Sequence, residues 1–209
     1  MYVKNSMTTN PYVLSPESTI VEAMELMRTK GVKRLPVVKN NLLVGIISHS
    51  QLLEVSPSPA TSLSVFEINY LLAKTKIDSI MTKKVITVSP DMLLEEAALL
   101  MREFKIGGLP VVSENKLVGI ITETDLFDAF IEIMGFRDKG SRIALDIGVD
   151  HPGVLAEVTG IIAGFQINIT HLAAFRSELI VRVNTTNISD ILKAIEAKGY
   201  KVVSVLKNE

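Results

Sequence analysis

Leu117-Val118-Gly119-Ile120-Ile121-Thr122-Glu123-Thr124-Asp125 is an apolar strand interrupted only by a glycine and running into a hydroxyl- and acid-rich helix start. The chain carries this stretch twice. Leu43-Val44-Gly45-Ile46-Ile47-Ser48-His49-Ser50-Gln51 is the other copy, 74 residues earlier (119 − 45 = 74). The same offset aligns Met7-Thr8 with Met81-Thr82, Ser15-Pro16 with Ser89-Pro90, Leu26-Met27-Arg28 with Leu100-Met101-Arg102, and Leu35-Pro36-Val37-Val38 with Leu109-Pro110-Val111-Val112. Between Val3 and Leu53, 20 of 51 positions are identical without a gap, so the stretch belongs to an internal duplication of one supersecondary unit.

Each unit reads β-α-β-β-α. A short β stretch (Tyr12 to Leu14; Ile86 to Val88) leads through Ser-Pro into an amphipathic helix, whose second copy places Leu93, Ala97, Leu100, Met101 and Phe104 on one predicted core stripe. Two apolar strands follow, Leu109 to Val112 and Leu117 to Ile121, joined through Glu114-Asn115-Lys116. A last helix runs from Leu126 to Met134. The first copy spans about 3–53 and the second about 77–135. Between them, 54–76 holds Ser56-Pro57-Ser58-Pro59, a structure breaker, and Thr61-Ser62-Leu63-Ser64, a set of helix caps before Phe66 to Leu72. It reads either as a connecting helix or as a dimer contact or ligand-gated lid.

Gly135 and the polar run Arg137 to Ser141 mark a boundary, and 142–209 follows a different pattern. Ile143, Leu145, Ile147 and Val149 alternate as a half-buried strand. Asp150-His151-Pro152-Gly153 precedes a helix with Val154, Leu155, Val158, Ile161 and Ile162 on one face, closed by Gly164. Strands near Asn168 to Phe175 and Glu178 to Val183, a helix from Ser189 to Lys198, and a strand Lys201 to Leu206 complete a βαββαβ order, which is ferredoxin-like.

Composition removes several function classes. With 22 basic and 23 acidic residues the formal charge is −1, so no strong field draws the chain to nucleic acid or an anionic membrane. The longest uncharged run, Val158 to Phe175, contains Gly160, Gly164, Gln166, Asn168 and His171 and is not a membrane span. No signal-like apolar stretch follows Met1, and there is no cysteine, so the expected compartment is the cytoplasm. Zero cysteines also excludes thiolate metal sites, and His49, His151 and His171 lack metal-ligand spacing. No catalytic residues and no metal site are read from the sequence. A mean hydropathy of +0.33 suggests buried β structure or an apolar interface between copies.

The order Met-Thr, Ser-Pro, helix, Leu-Pro-Val-Val, Leu-Val-Gly-Ile-Ile-Thr-x-Thr-Asp resembles the CBS motif, and the pair resembles the tandem CBS module that senses adenosine-containing ligands such as AMP, ADP, ATP and S-adenosylmethionine. Asp150-x-Pro152-Gly153-Val154-Leu155 with Gln166-Ile167-Asn168-Ile169 resembles the ACT domain, a small-molecule regulatory module. The whole arrangement, α+β with two CBS motifs and a ferredoxin-like ACT domain, is similar to the acetoin-utilisation protein B type. The resemblance implies a non-enzymatic regulator that needs no cofactor and takes an adenine nucleotide as its regulatory ligand. An amino acid is a further candidate ligand. It also implies a homodimer, with neither nucleic acid nor membrane as partner, and leaves the regulated partner unnamed. A ligand-free scaffold and an S-adenosylmethionine binder are the other readings.

By that resemblance Asp125 holds both ribose hydroxyls, Thr122 and Thr124 supply hydroxyls, and the adenine lies against Val85-Ile86 and Gly108-Leu109-Pro110, where Gly107 and Gly108 leave room for a ring. The other reading of Asp125 and Thr124 is as caps of the last helix. In the first copy Gln51 replaces the aspartate and Lys33-Arg34 replaces the glycines, so Lys33, Arg34 and His49 either neutralise phosphates at the second copy or form a plain basic surface. In the ACT part, Asp150, His151, Gly153, Val154, Asn168 and Ile169 match ligand-holding positions. The alternatives there are a turn at Pro152-Gly153 and a strand-edge role for Asn168.

Overall fold

The computed structural model describes residues 1–55, 64–149 and 151–208. The breaker Ser56 to Pro59, Thr61 to Leu63 of the cap set, and Asp150 lie outside the described residues; Ser64, the last of the cap set, accepts from the Glu67 N–H and opens the helix Val65–Lys74. The chain divides into two compact units, Met1–Leu126 and Phe127–Glu209, and its architecture is α+β.

Each copy contributes two helices flanking a hairpin. Copy one has α2 (Ile20–Lys30), β2 (Arg34–Lys39), β3 (Leu42–Ser48) and α3 (His49–Glu54); copy two has α5 (Leu94–Phe104), β4 (Gly108–Ser113), β5 (Lys116–Thr122) and α6 (Glu123–Ile133). Thr19 opens α2 by accepting from the Glu22 N–H while Glu22 reaches back to the Thr19 N–H, a capping box. Both hairpins turn on two left-handed residues, Asn40-Asn41 and Glu114-Asn115, whose twist suits a two-residue connection. Both also carry a bulge after the first valine, at Val37/Val38 and Val111/Val112. The duplication thus extends to the irregularities.

The copies are joined by an exchange. A short helix α1 (Val3–Ser6) and strand β1 (Thr8–Thr9) precede copy one, yet the Val3 N–H donates to Met92 O and the Lys4 N–H to Pro90 O, both in the second copy's Ser-Pro turn. Strand β1 then pairs with β5 of copy two. Reciprocally, the Ile77 N–H donates to Ser18 O, the Asp78 N–H to Pro16 O, and Thr82 pairs with Ile46 on β3. The strand glycines permit this. A Cβ on Gly45 would stand 2.3 Å from Met81 Sδ, and one on Gly119 would stand 2.7 Å from Met7 Sδ and 2.9 Å from Thr8 O. The cores follow the same exchange: Ile77 and Met81 are buried with Ile20, Met27, Leu35 and Ile47 of copy one.

Three expectations are corrected. The stretches Tyr12–Leu14 and Ile86–Val88 reduce to single bridges, Leu14 to Val37 and Val88 to Val111. The buried stripe of α5 is the i, i+3, i+7 set Leu94, Ala97 and Met101, whereas Leu93, the residue before the helix, and Phe104, its last, are exposed. The last helix starts at Glu123 rather than Leu126, with Asp125 inside its first turn, and it crosses the boundary between the two compact units. Helix α4 (Val65–Lys74) does lie in the insert and leaves Phe66 87% exposed.

The second unit is the antiparallel sheet β7-β8-β6-β9, built from β6 (Gly140–Asp146), β7 (Ile169–Phe175), β8 (Glu178–Val183) and β9 (Lys201–Asn208). Its core joins Ile143, Leu145, Val181 and Val183 to Val154, Val158 and Ile162 of α7 (Val154–Gly164) and to Ile191 and Ile195 of α8 (Ser189–Ala197). That order is βαββαβ, as the periodicity predicts.

Candidate functional site

The exchange of leaders creates two pseudo-equivalent cavities, each lined by both copies. The first, of about 450 Å³, places Thr8 to Tyr12 and Gly31 to Arg34 of copy one opposite Ile120, Thr122, Thr124 and Asp125 of copy two. The second, of about 370 Å³, places Thr82, Lys84 to Ile86, Phe104 to Gly108 and Pro110 of copy two opposite Ile46, Ser48, Ser50 and Gln51 of copy one. Arg34 lines both.

The residues expected to form one site are therefore divided. Thr122, Thr124 and Asp125 face Lys33 and Arg34, whereas Val85, Ile86, Gly108 and Pro110 face Gln51. Leu109 lines neither cavity, being fully buried in the core. His49 opens α3 and lines a separate apolar groove with Val21, Met24, Met27 and Lys33. The room expected over Gly107-Gly108 is filled. A Cβ on Gly107 would stand 2.1 Å from Arg34 Nη2 and 2.5 Å from Glu123 Oε2, and one on Gly108 would stand 3.1 Å from Arg34 Cδ. Sequence reasoning misses Thr8, Thr9, Asn10 and Tyr12; Gly119, a glycine inside a strand, is the available sign that another backbone approaches there.

Asp125 combines the two roles read for it. As third residue of α6, its Oδ2 accepts from the Thr122 N–H at 2.7 Å and the Thr122 hydroxyl at 2.6 Å, which satisfies the helix start. A carboxylate has about four acceptor positions, and these two bonds occupy those of one oxygen. No hydrogen bond from the described residues reaches Oδ1, which belongs to a side chain lining the larger cavity. Gln51 holds the same place in α3: its Oε1 accepts from the Ser48 N–H at 2.9 Å and the Ser48 hydroxyl at 3.0 Å. Its remaining group is a donor, Nε2, which gives one of its two hydrogens to Thr82 Oγ1 at 2.9 Å and offers no acceptor. The two cavities thus share a frame and differ in the group held at this place: a carboxylate with a free acceptor beside Lys33 and Arg34 in one, an amide bonded to Ser48 and Thr82 beside Arg34, Lys84 and Lys105 in the other.

In the second unit Gly153, at φ +102°, precedes α7 without a side-chain cap, and His151 turns its Nδ1 to Pro152 O at 3.2 Å. Val154 is buried and Ile169 packs against the core, so neither side chain is free for a ligand. Asn168 is exposed, its carbonyl accepting from the Asn184 N–H. Arg182 is buried on β8 beneath the Phe136 ring, and burial lowers its pKa from the usual guanidinium value. Among the described residues no group of three histidine or acidic side chains is placed to hold a metal, and no helix is long and apolar enough to cross a membrane.

The CBS domain family matches residues 3–58 and 77–132, and the ACT domain family matches 143–199. An inosine-5'-monophosphate dehydrogenase of Korarchaeum cryptofilum is 30% identical over 179 residues, which are 85% of this chain but 34% of that protein. The chain thus spans about a third of that relative's length. A candidate acetoin utilization protein of Vibrio cholerae superimposes with a TM-score of 0.55 at 32% identity, over 66% of this chain and 95% of that one. CBSX2 of Arabidopsis thaliana in complex with AMP superimposes with a TM-score of 0.53 at 33% identity, over 63% and 97% of the two chains.

Proposed function

The chain belongs to the CBS-domain family, and from that premise we propose that it is a non-enzymatic regulator which binds an adenine nucleotide in the cavity at Asp125. The observation that carries this reading is the free Oδ1 of Asp125 across from Lys33 and Arg34 in one cavity. Oδ1 accepts from the ribose hydroxyls, and the two cations neutralise phosphate. The AMP held by CBSX2 supports the ligand class. Two cations at the cavity wall favour a phosphate over the sulfonium of S-adenosylmethionine, which like charge repels.

The ACT domain is the second regulatory element, taking an amino acid or mediating assembly of a homodimer in the cytoplasm. His151, Gly153 and Asn168 offer the exposed groups for the former role. The likeness to the Vibrio cholerae protein makes acetoin utilisation the setting in which such regulation is sought. Isothermal calorimetry of the full chain against AMP, ADP, ATP, S-adenosylmethionine and the common amino acids tests the reading. Saturable binding of a phosphate-bearing adenosine is expected, tighter than adenosine alone. Binding of S-adenosylmethionine in preference to all three nucleotides, or of none of them, overturns it.

A further inference from the structure

We infer that Arg34 limits the CBS pair to one nucleotide, serving as a phosphate ligand of the Asp125 cavity while its own side chain covers the glycine wall on which an adenine would lie in the Gln51 cavity. The inference rests on the nucleotide reading above and goes beyond it, to how the two cavities are coupled.

The argument is geometric. Position 34 in copy one corresponds to 108 in copy two, so the wall that is arginine in one cavity is glycine in the other. Bare glycine walls leave space, yet here Arg34 takes it: its guanidinium stands where a Cβ of Gly107 would be and its aliphatic stem lies against Gly108. An adenine ring laid on this wall has to displace Arg34. A phosphate in the Asp125 cavity resists that displacement, because the same guanidinium is then held by a charge-assisted hydrogen bond. Among the described residues Arg34 makes no salt bridge, and the anion beside it is the Glu123 carboxylate, whose Oε2 stands with Arg34 Nη2 over Gly107, so a doubly charged phosphate has this single carboxylate to outbid. Copy one is also poor at ribose recognition, since Ser48 takes both acceptor positions of Gln51 Oε1 and leaves no carboxylate to hold the hydroxyls. Two barriers therefore guard the smaller cavity, and each is removable by one substitution.

The test restores the ribose acceptor with Gln51→Asp, which the matching Asp125 shows to be compatible with this helix start, and removes the plug with Arg34→Gly, the residue natural at 108. Calorimetry with AMP and with adenosine reads stoichiometry and affinity. One AMP per chain is expected for the parent and for Gln51→Asp, and two for Gln51→Asp/Arg34→Gly. In Arg34→Gly alone, AMP should weaken roughly tenfold to a hundredfold at the Asp125 cavity while adenosine changes little. Arg34→Ala serves if the glycine variant loses its cooperative melt. Two AMP molecules on Gln51→Asp alone, or one on the folded double variant, overturn the inference and leave the nucleotide reading standing. No AMP on any variant, the parent included, overturns both.

Discussion

Asp125→Asn separates the structural and ligand-binding roles of this side chain. The substituted amide retains a carbonyl oxygen that can accept both Thr122 hydrogen bonds, so the start of α6 keeps its cap. The free oxygen, however, becomes an NH₂ group, so the ribose hydroxyls exchange a charged acceptor for a neutral donor. A hydrogen bond to a charged group contributes about 1.5–3 kcal/mol against about 0.5–1.5 for a neutral pair. For two ribose hydroxyls the loss is therefore about 2 kcal/mol or more, which is roughly thirtyfold in affinity at 1.4 kcal/mol per tenfold. The melting temperature should stay near the parent's. Asp125→Ala, by contrast, loses the cap as well, at about 1 kcal/mol, or about 2–4 °C for a chain of this size. Calorimetry with AMP and adenosine, beside thermal unfolding of each variant, reads both effects. If folded Asp125→Asn binds AMP and adenosine as the parent does, the carboxylate does not hold ribose.

Gly140→Ala should destabilise the second unit by about 3 kcal/mol or more, since it combines φ +121° with a Cβ only 2.0 Å from Val183 O, whereas Gly148→Ala, at φ +65° with nothing within 4 Å, should cost about 1 kcal/mol; chemical denaturation of both variants checks the ranking. Tyr200→Phe removes a 2.7 Å hydrogen bond to Glu157 Oε2 and should cost about 1 kcal/mol. That bond is the main cause of the raised Tyr200 pKa, so its contribution is present below about pH 10 and lost as pH rises through the higher folded value; the variant should show a flatter alkaline limb in stability against pH. The protein should sediment near twice 22.9 kDa, because Phe66, Phe127, Phe130 and Phe175 are exposed and β7 and β9 are sheet edges; a monomer at micromolar concentration removes the homodimer from the proposed function.

Much of the fold is legible because its signals are local. The hairpin of copy two shows in Glu114-Asn115 between apolar runs, and the βαββαβ order shows in the change from period two at Ile143–Val149 to helical spacing after Gly153. Where a strand finds its partner is a different matter. Thr8-Thr9 carries no mark saying that it pairs with β5 rather than β3, since the two are nearly identical sequences; the exchange is visible only in the structure, where Met7 packs on Gly119 and Met81 on Gly45. That is why sequence alone groups Val85, Ile86, Gly108 and Pro110 with Asp125, when the exchange puts copy one's loops there. A twofold relation between copies is what brings Lys33 and Arg34 across from Asp125. The path of Arg34 across Gly107 depends on a rotamer and on a neighbour 73 positions away (107 − 34 = 73), which no local pattern encodes.

The crossed leaders also say something about how such a protein arises. A single unit standing alone would have its Met-Thr segment reaching for a strand it does not own, so it would satisfy that segment only on a second molecule. Joining two units in one polypeptide makes this encounter intramolecular, replacing a dependence on protein concentration with an effective concentration of the order of millimolar for a short connection. It does something further. Two identical subunits related by symmetry must have identical cavities, because any substitution appears in both. Once fused, the halves can drift independently, and Asp125 opposite Gln51, with Gly107-Gly108 opposite Lys33-Arg34, is a divergence that an unfused pair has no means of reaching.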